Sequence, residues 1–194
     1  MHTKVNDSVF NSFPVLTTER LVLRAYKSSD AGSLWELRND HQVMEYLDSV
    51  RPKEIKDALK MIEDIHLSFR LKTGINWAIT EKGSDRMIGY FGYWRLVKEH
   101  CRAEIGYLLH PDYWRKGIMT EAMSATLKFG FSQFHLHSIE ANVNLENDRS
   151  KGILEKFGFQ KEAHFRENYY HDGEFLDSII YCLLEKDLKG IGKK

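Results

Sequence analysis

A mixed α/β sandwich is the fold that this 194-residue sequence predicts. Three observations predict it. Two consecutive runs, Met87 to Val97 and Arg102 to Leu109, alternate their side chains at strand period. The segment Lys116 to Phe134 is apolar around most of its circumference, as in a helix packed into a core. The remaining elements put an antiparallel meander in the first half and a crossover in the second, in the order β-α-α-β-β-β-α-β-α-β-β.

Each element has a local cause. Thr18 to Tyr26 reads as a strand, with Leu21 and Leu23 alternating against Val22 and Arg24. Ser28, Ser29 and Asp30 offer a cap for a helix carrying Leu34, Trp35 and Leu37. A longer helix is expected from Pro52, a residue suited to a first turn, to about Leu71, with Ile55, Leu59, Ile62, His66 and Phe69 at helical spacing. Strands follow at Asn76 to Thr80 and Met87 to Val97, the latter with Ile88, Tyr90, Trp94 and Leu96 on one face. In Arg102 to Leu109, Ile105, Tyr107 and Leu109 share one face and Glu104, Gly106 and Leu108 the other.

After the apolar helix, Ser138 to Asn144 reads as a short strand with Ile139, Ala141 and Val143 inward. Asn147 or Asp148 caps a helix to about Phe157, stopped by Gly158 as a left-handed glycine. Two last strands, Gln160 to Arg166 and Phe175 to Leu184, are joined across the turn-rich run Asn168 to Gly173.

Composition excludes several functions. Twenty-eight basic and 28 acidic side chains give a formal net charge of +0, without a long like-charge block, so neither nucleic acid nor a membrane surface is implied as a partner. No stretch approaches the roughly 20 apolar residues of a membrane span. Two cysteines, Cys101 and Cys182, argue against a disulfide scaffold or zinc site and fit a reducing cytoplasm. His135 and His137 form an H-x-H without a third ligand nearby, so no metal is expected. Phe131 and Phe134, at helical spacing, read as core residues. The whole chain, 1–194, reads as one domain, with residues 1–14 as a loose arm.

The chemistry concentrates between Ala103 and Ala122. A strand ends at His110-Pro111, and a short loop with Arg115, Lys116 and Gly117 opens directly into the apolar helix. A helix start has unpaired N–H groups and the positive end of the macrodipole, so this is a well-built anion site, or a solvated loop carrying two surface charges. The spacings of a dinucleotide fold and of a P-loop are both absent.

This segment resembles the acetyl-CoA motif of the GNAT superfamily of N-acetyltransferases, R/Q-x-x-G-x-G/A. Aligned on Gly117, Trp114 takes the R/Q position and Met119 the last G/A position, and both depart from the consensus. The motif contributes largely main-chain N–H groups, which such departures leave in place. A-E-I-G-Y before it, T-E-A after it, the opening Thr18-Glu19-Arg20-Leu21-Val22-Leu23-Arg24, and Asn147-x-x-Ser150 with Leu154-Glu155-Lys156-Phe157-Gly158-Phe159 are similar to the RimJ/RimL-like branch, in family order across residues 17–187.

The resemblance implies a mostly antiparallel twisted sheet with helices on both faces, acetyl-CoA as co-substrate, and a primary amine as acceptor: a protein N-terminus of the ribosomal-protein type, or a small molecule. Main-chain groups of Leu108, Leu109 and His110 would pair with the pantetheine arm, one N–H polarising the thioester carbonyl. N–H groups of Arg115, Lys116, Gly117, Ile118, Met119 and Thr120 would hold the pyrophosphate. Asn147 and Ser150 would stand near the sulfur end.

Acid and base remain open at this level. A lysine amine of pKa ~10.4 is about 0.1% neutral near pH 7.4, whereas an α-amine of pKa ~7.8 is roughly a quarter neutral and manages with a modest base. Glu104 is the candidate base, or a structural partner of Arg102 or Arg95. Ser150 is the candidate acid toward the thiolate, or ordinary capping chemistry. Tyr169 and Tyr170 are rival acids, or packing residues. Asn142 and Asn144 share a face, either for cofactor amides or simply as the polar side of a strand.

The segments Asn39 to Leu71 and Arg166 to Phe175 are expected to shape the acceptor site, and their mixed charges (Asp40, Glu45 and Asp48 against Arg51 and Lys53) select no substrate. Tyr169, Tyr170, Phe175 and Tyr181 serve either a homodimer contact or the core. Two other classes stand beside the enzyme. One is a non-catalytic acyl-CoA-binding module, which would dispense with Glu104 and Ser150. The other is a nucleotide-binding regulator without CoA preference.

Overall fold

Eight strands form one sheet in the order β1-β2-β3-β4-β5-β6-β8-β7 in a computed structural model that describes residues 4–47, 49–171 and 173–189. Asp48 and Asp172, assigned above to the acceptor region, lie outside the described residues. The strands are β1 (Leu16–Thr17), β2 (Leu21–Arg24), β3 (Ile75–Glu81), β4 (Met87–Val97), β5 (Arg102–Leu109), β6 (Ser138–Val143), β7 (Gln160–His171) and β8 (Glu174–Leu184). Every neighbouring pair is antiparallel except β5 with β6. That parallel pair follows from the intervening helix, since a parallel neighbour needs a crossover.

Helices cover both faces. On one lie α1 (Ala31–Asn39), α2 (His41–Met44) and α3 (Ile55–Arg70), where Leu34, Leu37, Ala58 and Ile62 pack with Tyr26, Ala78 and Met87. On the other lie α4 (Ile118–Ser132) and α5 (Asp148–Phe157). They enclose the main core, in which Trp77, Tyr93, Phe129 and Phe134 are fully buried and meet at ring-centroid separations of 5.4–6.1 Å. Tilted and edge-on rings at this spacing add about 0.5–1.5 kcal/mol per pair beyond their burial. Within α4, the Thr126 hydroxyl donates to Ala122 O (3.0 Å) and its carbonyl accepts from Tyr93 Oη (2.8 Å), so this buried polar residue is satisfied.

Several boundaries shift for identifiable reasons. α3 begins at Ile55 rather than Pro52, because Glu54 and Asp57 form its capping box. β7 runs on to His171, so the expected turn over Asn168 to Gly173 shortens to a tight hairpin ending at Gly173 (φ 96°). α2 and β1 are too short for periodicity to announce. Ile88 leaves the face expected for it. The β3–β4 register slips beside it (Ile79↔Gly89, then Thr80↔Met87), and Ile88 joins the main core with Phe91 and Tyr93 while Tyr90 faces the other helices. Tyr181, weighed above as an exposed contact, is buried and donates to Glu155 Oε1 at 2.9 Å.

Among the described residues of the expected loose arm, from Lys4 on, the chain is held. Residues 7–10 form a 3-10 turn, and Asn6 donates its backbone N–H to Phe134 O (3.0 Å). Phe10 is buried against Phe69 and Phe134, and the Trp77 indole donates to Pro14 O at 2.6 Å. The buried aromatics outweigh the polar character that suggested solvent exposure.

Candidate active site

β5 and β6 pair only from Arg102↔Ser138 to Glu104↔Glu140, after which β5 runs on to Leu109 without β6 beside it. The sheet therefore splits down its middle. His110 donates its N–H to Ile88 O (2.8 Å), so alternation along the antiparallel pair turns the main-chain groups of Leu108 and His110 toward β4. Those of Tyr107 and Leu109 face the split. His110 is further committed through its carbonyl, which accepts from Tyr113 N–H (3.0 Å). This corrects the expected trio of Leu108, Leu109 and His110: the groups left on the open side are those of Tyr107 and the N–H of Leu109, whose carbonyl accepts from the Trp114 indole (2.7 Å).

The loop after β5 turns sharply into α4. Arg115 (φ 57°) and Gly117 (φ 75°) are both left-handed, and Gly117 is the N-cap of α4. A methyl at Gly117 would meet only Arg20 Nη2, at 3.4 Å, so the need for glycine there is conformational rather than steric. The first bond of the helical ladder runs from Glu121 N–H to Gly117 O (3.0 Å), which leaves the N–H groups of Ile118, Met119 and Thr120 without a ladder acceptor. Arg20 braces the loop from β2's end. Its Nη1 donates to Lys116 O (2.9 Å) and its Nε to Glu121 Oε2 (2.6 Å), tying the loop to α4's first turn.

Glu104 sits where the split begins. It is 9% exposed, and Arg95 Nη1 stands 3.0 Å from its Oε2. Burial pushes its carboxyl above the usual carboxylate range, against the lowering charge and hydrogen bond of Arg95, with Glu140 adding a further upward push. Of the two partners weighed for it, Arg102 is taken by Glu140 (3.2 Å). Arg95 reaches Glu104 because a bulge between Trp94 and Val97 puts its backbone in the left-handed region (φ 43°), with its guanidinium 4.7 Å over the Trp94 ring.

Across the sheet, Asn147 accepts the N–H of Ser150 at 3.0 Å, so Asn147 is the helix cap and the Ser150 hydroxyl is left for another use. That hydroxyl lies 2.6 Å from the hydroxyl of Tyr107. Tyr107 was placed above only as an apolar-face residue. No periodicity could have flagged it, because its partner is 43 residues away. Its ring stacks on Phe91 (8° between planes), and burial drives its hydroxyl well above the ordinary tyrosine value.

Other candidates fall elsewhere. Tyr169 lies on β7 opposite Leu176, at the far edge of the sheet, while Tyr170 is exposed against Phe175. Asn142 is exposed on β6, on the face shared with Glu140, whereas Asn144 accepts the N–H of Glu146 within the following turn. Among the described residues no group of three His, Cys, Asp or Glu side chains could hold a metal ion, and no helix is long and apolar enough to cross a membrane.

The GNAT acetyltransferase domain family matches residues 20–160, most of the chain, including both strands that flank the split. The chain belongs to that family. It is an N-acetyltransferase, and the donor used by GNAT enzymes is acetyl-CoA. Among relatives of the GNAT chain, an uncharacterised N-acetyltransferase of Bacillus subtilis (strain 168), YoaA, is 34% identical across 89% of this chain and 98% of its own length. The [ribosomal protein uS5]-alanine N-acetyltransferase of Escherichia coli (strain K12) is 27% identical over 89% of this chain and 91% of its own. A GNAT-family acetyltransferase from Bacillus anthracis has a crystal structure that superposes with a TM-score of 0.78 at 28% identity, covering 89% of this chain and 99% of that one. The expected mixed α/β fold, mostly antiparallel with helices on both faces, is the GNAT fold these neighbours share.

Proposed function

We propose that this GNAT enzyme acetylates the α-amine of a protein N-terminus, with acetyl-CoA lying in the split between β5 and β6. The observation that carries this reading is the split itself, flanked on one face by Glu104 and on the other by the Tyr107–Ser150 hydroxyl pair. The residues fit the donor. The unladdered N–H groups of Ile118, Met119 and Thr120, together with the Arg115–Gly117 loop, suit its pyrophosphate, and the open edge at Tyr107 and Leu109 suits an amide-bearing arm. When bound, acetyl-CoA supplies an acetyl thioester.

The chain's own groups supply proton handling. Glu104 accepts a proton from the attacking amine, directly or through water. Arg95 tempers its basicity, which suits an α-amine better than a lysine. On the other face, the Tyr107 and Ser150 hydroxyls share a hydrogen bond (2.6 Å), and with Tyr107 as its donor the Ser150 proton would be free for the departing thiolate. The Leu109 N–H is the candidate donor to the thioester oxygen. The likeness to a uS5-alanine acetyltransferase supports a protein acceptor, and the soluble composition with two unpaired cysteines supports a cytoplasmic setting.

The test is acetyl transfer to a panel of peptides with free N-termini, lysine peptides with blocked N-termini, and polyamines, read by thiol release and mass spectrometry. Transfer to free N-termini alone supports the reading. Transfer to polyamines alone moves the acceptor to small amines, and donor binding without turnover on any amine would favour a non-catalytic module.

A further inference from the structure

One set of side chains joins what the split leaves apart. The Trp114 indole donates to Leu109 O (2.7 Å), which lays its ring along the open side of β5. α5 follows β6, so Arg149 in its first turn stands on the β6 side of the opening. Its guanidinium carbon lies 4.5 Å over the Trp114 ring, and its Nη2 is 3.3 Å from Oε2 of Glu45. Glu45 directly follows α2, and α2 is fastened to the β5 side by Val43 and Met44 packing on Leu108. Arg149 thus spans the opening.

This bridge is built to part. The Arg149 and Glu45 side chains are 56% and 47% exposed, and such a pair is worth no more than about a factor of five in an equilibrium. A guanidinium matches phosphate oxygens at least as well as a carboxylate, through the same planar fork. We propose that Arg149 exchanges partners: Glu45 holds it across the opening, and the phosphates of an incoming donor draw it away, so that Glu45 competes with the donor for Arg149. The inference rests on the reading that the split receives acetyl-CoA.

Calorimetric titration of CoA and of pantetheine, which lacks phosphates, into the full-length wild type and variants tests it. Glu45→Gln is expected to bind CoA about two- to fivefold more tightly, the reach of an exposed ion pair. Arg149→Gln is expected to weaken CoA about tenfold, as loss of a charge-assisted phosphate contact does. Pantetheine affinity stays unchanged in both. The double variant matches Arg149→Gln alone, because Glu45 acts only through Arg149. Arg149→Lys, which keeps the charge without the fork, falls between wild type and Arg149→Gln. Unchanged or weaker CoA binding in Glu45→Gln, or a double variant tighter than Arg149→Gln, overturns the exchange. A wild type that binds neither CoA nor pantetheine sinks the donor site and the exchange with it, an outcome distinct from failure of the exchange alone.

Discussion

Tyr107 Oη and Ser150 Oγ stand 2.6 Å apart, joining the free end of β5 to the first turn of α5. Ser150 is spared from capping because Asn147 does that work, and Tyr107 stays protonated because burial opposes its anion. In the proposed mechanism these two neutral hydroxyls in series would carry the proton to the departing thiolate. We expect Ser150→Ala to lower kcat about 10²-fold, the lower range for loss of a positioned proton donor, with little change in KM for acetyl-CoA. Tyr107→Phe should lower kcat less, since water can replace the second hydroxyl. Steady-state kinetics on both variants check this, and an unchanged kcat in Ser150→Ala would remove Ser150 from the chemistry.

If Glu104 is the base proposed above, it sets the acid limb of activity. As a base it must be ionised, so kcat/KM rises with pH through its raised value. Arg95→Ala removes the charge and hydrogen bond that lower that value, and the limb shifts further up. Stability moves with a definite sign. A carboxyl whose folded value is raised contributes stability below its unfolded value of ~4.3, and that contribution is lost as pH rises through the folded value. Arg95→Ala should therefore be destabilised at pH 8 more than at pH 4, and urea unfolding at the two pH values measures the difference.

Gly117→Ala places a side chain at φ 75°, where a methyl meets only the end of Arg20. The cost is conformational, about 1–2 kcal/mol. The expected outcome is a folded protein whose CoA affinity drops about fivefold to tenfold as the loop leaves its anion-binding shape. Circular dichroism and calorimetry separate this from unfolding.

Phe10 separates stability from catalysis. It is 8% exposed and packed on Phe69 and Phe134, neither of them a residue of the proposed site. Phe10→Ala should cost about 3 kcal/mol, read from the urea midpoint, while kcat of the folded fraction is retained. A variant as stable as wild type would mean that the N-terminal segment contributes nothing to the core.

Some of this was legible without coordinates because its causes are local. The alternation of β5, the apolar circumference of α4, Asn147 as cap and Gly158 in the left-handed region (φ 95°) all follow from side-chain period and terminal chemistry within a few residues. The left-handed glycine before α4 belongs to the same class, since it needs only a glycine before a helix start. Glu104 was legible as a carboxylate on β5, and its partner was left between Arg95 and Arg102 because both lie within reach in sequence.

Tertiary structure decided the rest, and the physical reason is register. A one-residue slip at Ile79 and Thr80 moved Ile88 to the main core, and the bulge after Trp94 delivered Arg95 rather than Arg102 to Glu104. Which main-chain groups of β5 face the split depends on its pairing with β4, which no single strand encodes. The N-terminal segment is ordered by Phe69, Trp77 and Phe134, rings far from it along the chain. Tyr107 with Ser150, and Arg149 with Glu45, lie 43 and 104 positions apart and meet only once the sheet has closed and split. Local chemistry wrote the elements and the family motif; the distances between chemical groups came from packing, where small register shifts redirect whole side chains.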